Sequence, residues 1–76
     1  MELEKLKKII ADVLNVDIHE IKPDTTLVED LGADSLDLFQ ILMGIEEEFD
    51  IEISNEAASA IVSVGDAVEV IRKALH

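Results

Sequence analysis

Apolar residues in this chain recur at the spacing of a helix, and that periodicity limits the folds open to it. Leu38, Ile41, Leu42, Ile45 and Phe49 stand at i, i+3, i+4, i+7 and i+11. At about 100° per residue they gather on one side, as the core stripe of an amphipathic helix does. The spacing predicts a helix from Ser35 to about Asp50. A helix over 3–15 is expected from Leu3, Leu6, Ile10, Val13 and Leu14, with Asn15 as its stop. Ser54 can cap a short helix through about Ile61. Ser63, with Asp66 three residues on, caps a last helix whose inner face is Val64, Ala67, Val68, Ile71 and Leu75. Arg72 and Lys73 near its end suit the helix dipole. Ile51-Glu52-Ile53 alternates like a strand but has nothing to pair with, and is read as extended connection. The fold class is therefore all-α: a small bundle of three principal helices plus one short helix, with a long first loop.

That loop, Val16 to Ala33, is punctuated by Pro23 and the polar run Asp24-Thr25-Thr26, which oppose a regular element. Val16, Ile18, Ile21, Leu27, Val28 and Leu31 are spread along it, so it is expected to be stitched to the core. A loop this long is uncommon in a compact domain and is often functional. Residues 1–76 are read as one domain, and a chain this size buries only about 60% of its unfolded surface. Without cysteine, neither a disulfide nor a zinc–thiolate site can brace it. His19 and His76 stand alone, so no metal site is expected. The acidic start and the lack of a long apolar run predict a chain without membrane insertion, working in the cytoplasm.

Charge is distributed unevenly. The formal net charge is −12, and between Pro23 and Ile71 there is no Lys or Arg at all. Thirteen of the 18 acids lie in that span, whereas residues 1–22 are close to balanced. Such a field disfavours nucleic acid. A hydrophobic share of 49% with clear periodicity argues against the disorder that strong acidity otherwise brings. Because like charges weaken a compact state, the asymmetry points to basic partners. The second helix supports this. Leu36, Phe39 and Met43 fall opposite its core stripe, among Gln40 and Glu47, as an apolar docking strip rimmed by acids. Glu46, Glu47 and Glu48 sit in its last turns, where the dipole prefers cations. Gly44, mid-helix, costs about 1 kcal/mol relative to Ala and implies a closely packed neighbour.

The stretch Leu31-Gly32-Ala33-Asp34-Ser35-Leu36-Asp37 precedes and opens that helix. Gly32 breaks the extended run and Asp34 is a good N-cap, with Asp37 three residues on imitating a capping box. Ser35 falls at the first helical position, facing water. Ser is common there because it competes for backbone hydrogen bonds, but a hydroxyl at the positive end of a helix is also well placed to carry an anion, gaining about 0.3–1 kcal/mol. No catalytic constellation accompanies it: the chain has no Cys, no His near Ser35 in sequence and no Gly-rich phosphate cradle.

Glu29-Asp30-Leu31-Gly32-Ala33-Asp34-Ser35-Leu36-Asp37, with Glu46-Glu47-Glu48-Phe49-Asp50 downstream, closely resembles the acyl carrier proteins of dissociated (type II) fatty acid synthesis, over nearly the whole chain. The resemblance implies a non-catalytic carrier. In it a phosphopantetheinyl transferase would convert Ser35 to a 4′-phosphopantetheine ester drawn from coenzyme A, and the arm's thiol would hold acyl chains as thioesters. It implies that Asp34, Leu36, Asp37, Phe39, Gln40, Met43, Glu46, Glu47 and Glu48 meet basic and apolar patches on fatty acid synthesis enzymes. It also implies an acyl cleft, for which Ile45, Ile53, Ala58 and Ile61 are the candidates, and a monomer. Gln40 stands where the family usually has Glu, Phe39 is bulkier than the usual Val, Ile45 replaces a more frequent Leu, and the third helix is less acidic than typical. The departures at Gln40, Phe39 and the third helix bear on the set of partners; that at Ile45 concerns the cleft. A carrier for a polyketide or aminoacyl pathway, or an unmodified acidic adaptor binding through its helix face, remain as alternatives.

Overall fold

The computed structural model describes residues 2–75. Its first helix, α1 (Glu2–Leu14), buries Leu6 and Ile10 completely, with Leu3, Ile9, Val13 and Leu14 packed against the core at its edges. It stops where Asn15 takes a left-handed conformation (φ 56) and the Val16 N–H turns back to the Ala11 carbonyl at 3.2 Å. Asn is among the few non-glycine residues that tolerate this region. The other helices are α2 (Ser35–Phe49), α3 (Asn55–Ser59) and α4 (Val64–Leu75). This is the all-α arrangement expected from the periodicity. No helix among the described residues is long and apolar enough to cross a membrane.

The long first loop is stitched to the core, as the apolar residues spread along it predict. It contains a single 3-10 turn, Ile18–Glu20, opened by Asp17, whose carboxylate accepts from the His19 N–H at 2.9 Å. It then runs alongside the start of α4. The Gly65 N–H donates to the Pro23 carbonyl (2.8 Å), the Val64 N–H to Thr25 (2.9 Å) and the Leu27 N–H to Val62 (3.0 Å). Thr26 and Ser63 pair as an isolated antiparallel bridge. These bonds satisfy backbone groups that would otherwise be buried unpaired, and they let Ile21 and Leu27 enter the core. Thr25, nearly buried, uses its hydroxyl to accept from the Lys22 N–H at 3.0 Å. At Gly65 an added Cβ would lie 3.0 Å from the Pro23 oxygen, so the close approach of loop and helix requires a residue without one.

Three details differ from expectation. Val28 is exposed, because the turn from Thr26 to Gly32 is closed by its own hydrogen bonds: Thr26 and Asp30 exchange side-chain acceptors, and the Gly32 N–H donates to the Val28 carbonyl. Leu75, counted on the inner face of α4, is exposed in its last turn. α3 ends at Ser59, two residues short of Ile61, where the Ala60 and Ile61 N–H groups tighten onto the Ala57 and Ala58 carbonyls. Gly44 behaves as expected: the packed neighbour is Ile9, whose Cγ2 methyl would meet an added Cβ at 2.9 Å.

Gly44→Ala should gain about 1 kcal/mol of helix propensity but lose more by overpacking against this stiff β-branched neighbour. Urea titration should show net destabilisation, relieved when Ile9→Ala is added. A second test concerns Asp66, which accepts from the N–H groups of Ser63 (3.0 Å) and Val62 (3.1 Å), while Ser63 Oγ accepts from the Asp66 N–H. The bond from the Ser63 N–H, and then that from Val62, hold its carboxyl below the ordinary 3.8. The depressed folded value means that Asp66 stabilises above the ordinary value and that this contribution is lost as pH falls through the folded one. Asp66→Asn should be less stable than the parent near neutrality, and the difference should close on acidification in thermal melts between pH 6 and pH 2, about the span over which such a carboxyl titrates.

Candidate functional site

Ser35 is the first residue of α2 and is exposed. The backbone around it is held tightly. Asp34, in an extended conformation (φ −101, ψ −175), caps the helix: its Oδ1 accepts from the Asp37 N–H at 2.9 Å. In return Asp37 Oδ2 accepts from the Asp34 N–H at 3.2 Å, and the Asp34 carbonyl takes the Leu38 N–H at 2.9 Å. This is the reciprocal box expected from the sequence, built with Asp where Glu is usual. Gly32 immediately upstream has φ +74, which a side chain would strain, and Ala33 is buried as an anchor. Ser35 is thus presented by a rigid start, with a buried residue two positions before it.

The electrostatics are less favourable to an anion than a bare helix end would be. The positive pole is already met by the Asp34 and Asp37 carboxylates. What distinguishes Ser35 is access: its hydroxyl is exposed on a backbone fixed from both sides. The chain has no cysteine and so supplies no thiol of its own.

Leu36, Phe39 and Met43 are 63%, 58% and 47% exposed, a row of large apolar side chains along one face of α2. Gln40 and Glu47 are exposed among them. The neighbouring acids are placed differently from one another. Glu46 is half-buried and its Oε2 accepts from the Ile53 N–H at 2.9 Å, so it faces the α2–α3 connection. Glu48 lies on the other flank, 3.8 Å from the Lys5 ammonium of α1. The acids predicted as one cluster therefore divide into one on the apolar face and two on its flanks. Lys5 also stands 5.9 Å from the centre of the Phe49 ring.

A cavity of about 30 Å³ lies between α2, α3 and α4, lined by Leu38, Leu42, Ile45, Ala58, Ile61 and Ala67, with Leu27 and Ile41 completing it. Three of the residues expected in an acyl cleft, Ile45, Ala58 and Ile61, line it. Ile53 does not: it lines a separate shallow groove with Ala57, Ala60 and Val70. The backbone N–H of Ile53 is held by the Glu46 carboxylate, and its side chain packs against the edge of the core rather than lining the cavity. The additional lining residues had a signal, since Leu38, Ile41, Leu42 and Ala67 belong to predicted inner faces. Leu27 could not be located from periodicity, because its position depends on the loop's pairing with α4. The space itself comes from Ala58 and Ala67, small residues facing Leu and Ile. A volume of this size holds about one water. Among the described residues no group of three or more His, Cys, Asp or Glu is placed to hold a metal.

The second helix thus brings together an exposed serine on a capped start, an adjoining apolar face and one wall of an interhelical cavity. Residues 4–71 match the family model described as phosphopantetheine attachment site. The acyl carrier protein of Clostridium acetobutylicum is 51% identical over 72 residues, covering 95% of this chain and 94% of that one. That of Solidesulfovibrio magneticus is 54% identical over 70 residues, covering 92% and 90%. Among solved structures, the acyl carrier protein of Thermotoga maritima superposes with a TM-score of 0.81 at 30% identity, covering 99% of this chain and 92% of that one. A Mycobacterium tuberculosis protein assigned as an acyl carrier gives 0.90 at 38% identity, covering 96% and 97%. The chain belongs to the acyl carrier proteins: it is a non-catalytic, all-helical carrier with a phosphopantetheine attachment site.

Because Ile45 is fully buried against the cavity and Ile53 is only half-buried outside it, truncation should separate them. Ile45→Val is expected to cost about 0.5–1.5 kcal/mol in chemical denaturation, and Ile53→Val clearly less.

Proposed function

We propose that residues 1–76 form one monomeric carrier domain that holds acyl chains as thioesters on a 4′-phosphopantetheine arm attached to Ser35, and presents them to fatty acid synthesis enzymes in the cytoplasm. The observation that carries this reading is the exposure of Ser35 on the capped first turn of α2. In the attachment step a phosphopantetheinyl transferase supplies the base. Ser35 Oγ gives up its proton and bonds to the phosphorus that carries the pantetheine in coenzyme A, and the bond to adenosine 3′,5′-bisphosphate breaks.

Enzymes with basic and apolar patches would dock on Leu36, Phe39, Gln40, Met43 and Glu47, with Asp34 and Asp37 beside the attachment point and Glu46 and Glu48 on the flanks. Complementary charge of this kind speeds and orients encounter more than it tightens binding. The cavity bounded by Ile45, Ala58 and Ile61 is where an acyl chain would be sheltered. At about 30 Å³ it takes no chain unless its walls part, and α3, which buries no residue fully, is the wall free to move.

The test is intact mass after incubation with coenzyme A and a broad-specificity transferase. The parent should gain one phosphopantetheine and Ser35→Ala none. A gain that survives Ser35→Ala would move the attachment elsewhere, and no gain in the parent would favour an unmodified adaptor.

A further inference from the structure

One residue organises the whole passage from α2 to α3. The Glu46 carbonyl accepts from the Asp50 N–H and, at 3.2 Å, from the Ile51 N–H, while its carboxylate takes the Ile53 N–H at 2.9 Å. Asp50 sits in the left-handed region (φ 54), so the chain reverses there and returns along Glu46. The next element is weakly held. α3 has five residues, buries none of them fully, and is too short to stand without support. Its own start is closed only by Ser54, whose Oγ accepts from the Ala57 N–H at 3.1 Å and whose carbonyl accepts from Ala58 at 2.9 Å. Yet α3 carries Ala58, and the turn after it Ile61, into the cavity wall.

We infer that Glu46 is a positioning residue, a latch whose carboxylate keeps the α3 wall of the cavity closed through the Ile53 N–H and is drawn off by an arginine of a docked enzyme. Glu46 is only half-buried, on the edge of α2 between the exposed apolar face and the connection. A guanidinium that pairs with both carboxylate oxygens claims Oε2 as well as Oε1. The Ile53 N–H then loses a charge-assisted partner, and the segment leading into α3 is freed. An ammonium, a point charge, can rest on Oε1 alone and leaves the latch in place. Docking and opening of the cavity are in this way coupled through one side chain. The cargo and the docked enzyme rest on the carrier reading above; the hold of Glu46 on α3 does not.

Amide hydrogen exchange on the unmodified chain tests the latch. In Glu46→Ala the amides of Ile53, Ala57 and Ala58 should exchange about tenfold faster, with those of α1 and α4 unchanged. Glu46→Gln should fall between, because its amide oxygen still accepts. L-argininamide, compared with sodium chloride at equal ionic strength, should speed exchange at the same amides in the parent and not in Glu46→Ala. Equal exchange in all three proteins, or equal response to the two salts, overturns the proposal. With both proteins loaded from an acyl coenzyme A, hydroxylamine should cleave the thioester faster in Glu46→Ala; equal rates overturn the link to the cavity. Failure of loading at Ser35 would instead sink the carrier reading and leave the exchange result standing.

Discussion

The backbone pairing between Pro23–Leu27 and Val62–Gly65 is the constraint on which the rest of this small structure depends. Three helices alone would leave the long first loop as loose chain over an incomplete core. The three hydrogen bonds across this seam turn the loop into a fourth side of the bundle. They carry Ile21 and Leu27 inward and bring the Asp66 capping box and the loop into one unit. Downstream of the seam, the buried Ala33 and the left-handed Gly32 set the direction from which the chain enters α2. The position of Ser35 is thus determined from two sides, by the capping carboxylates and by a loop that is itself tied to α4.

Much of this was legible in the residues because helical periodicity and capping chemistry are local. The inner faces of α1, α2 and α4 could be read from spacing, and Asp34, Ser54 and Ser63 each open a helix as their side chains predict. What escaped depends on contacts distant in sequence. The 3-10 turn at Ile18–Glu20 is set by Asp17 and by the closure of the loop, neither of which leaves a periodic trace. Val28 looks like an anchor by composition, but the turn around it folds on its own hydrogen bonds and leaves it outside. Ile53, like Ile51, packs against the core, but its backbone N–H is held by the Glu46 carboxylate seven residues away, a contact that leaves no periodic trace.

The acidic character divides by location in the same way. Asp34, Asp37, Asp66 and Glu46 each accept from backbone N–H groups, so part of the negative charge is structural. Glu48 is offset by Lys5. Glu47 lies exposed on the face of α2 that carries Phe39 and Met43, and makes no ion pair among the described residues. A count of charges along the chain does not distinguish these roles, because a carboxylate that caps a helix and one that greets a partner are the same residue type. The distinction comes from what lies within hydrogen-bonding distance.

The tightness of the helix start at Ser35 has a mechanical consequence. Backbone held on both sides by reciprocal carboxylate bonds does not swing, so a group joined to that hydroxyl pivots about a stationary hub. Its reach is then a property of the tether's own bonds, and the protein contributes orientation alone.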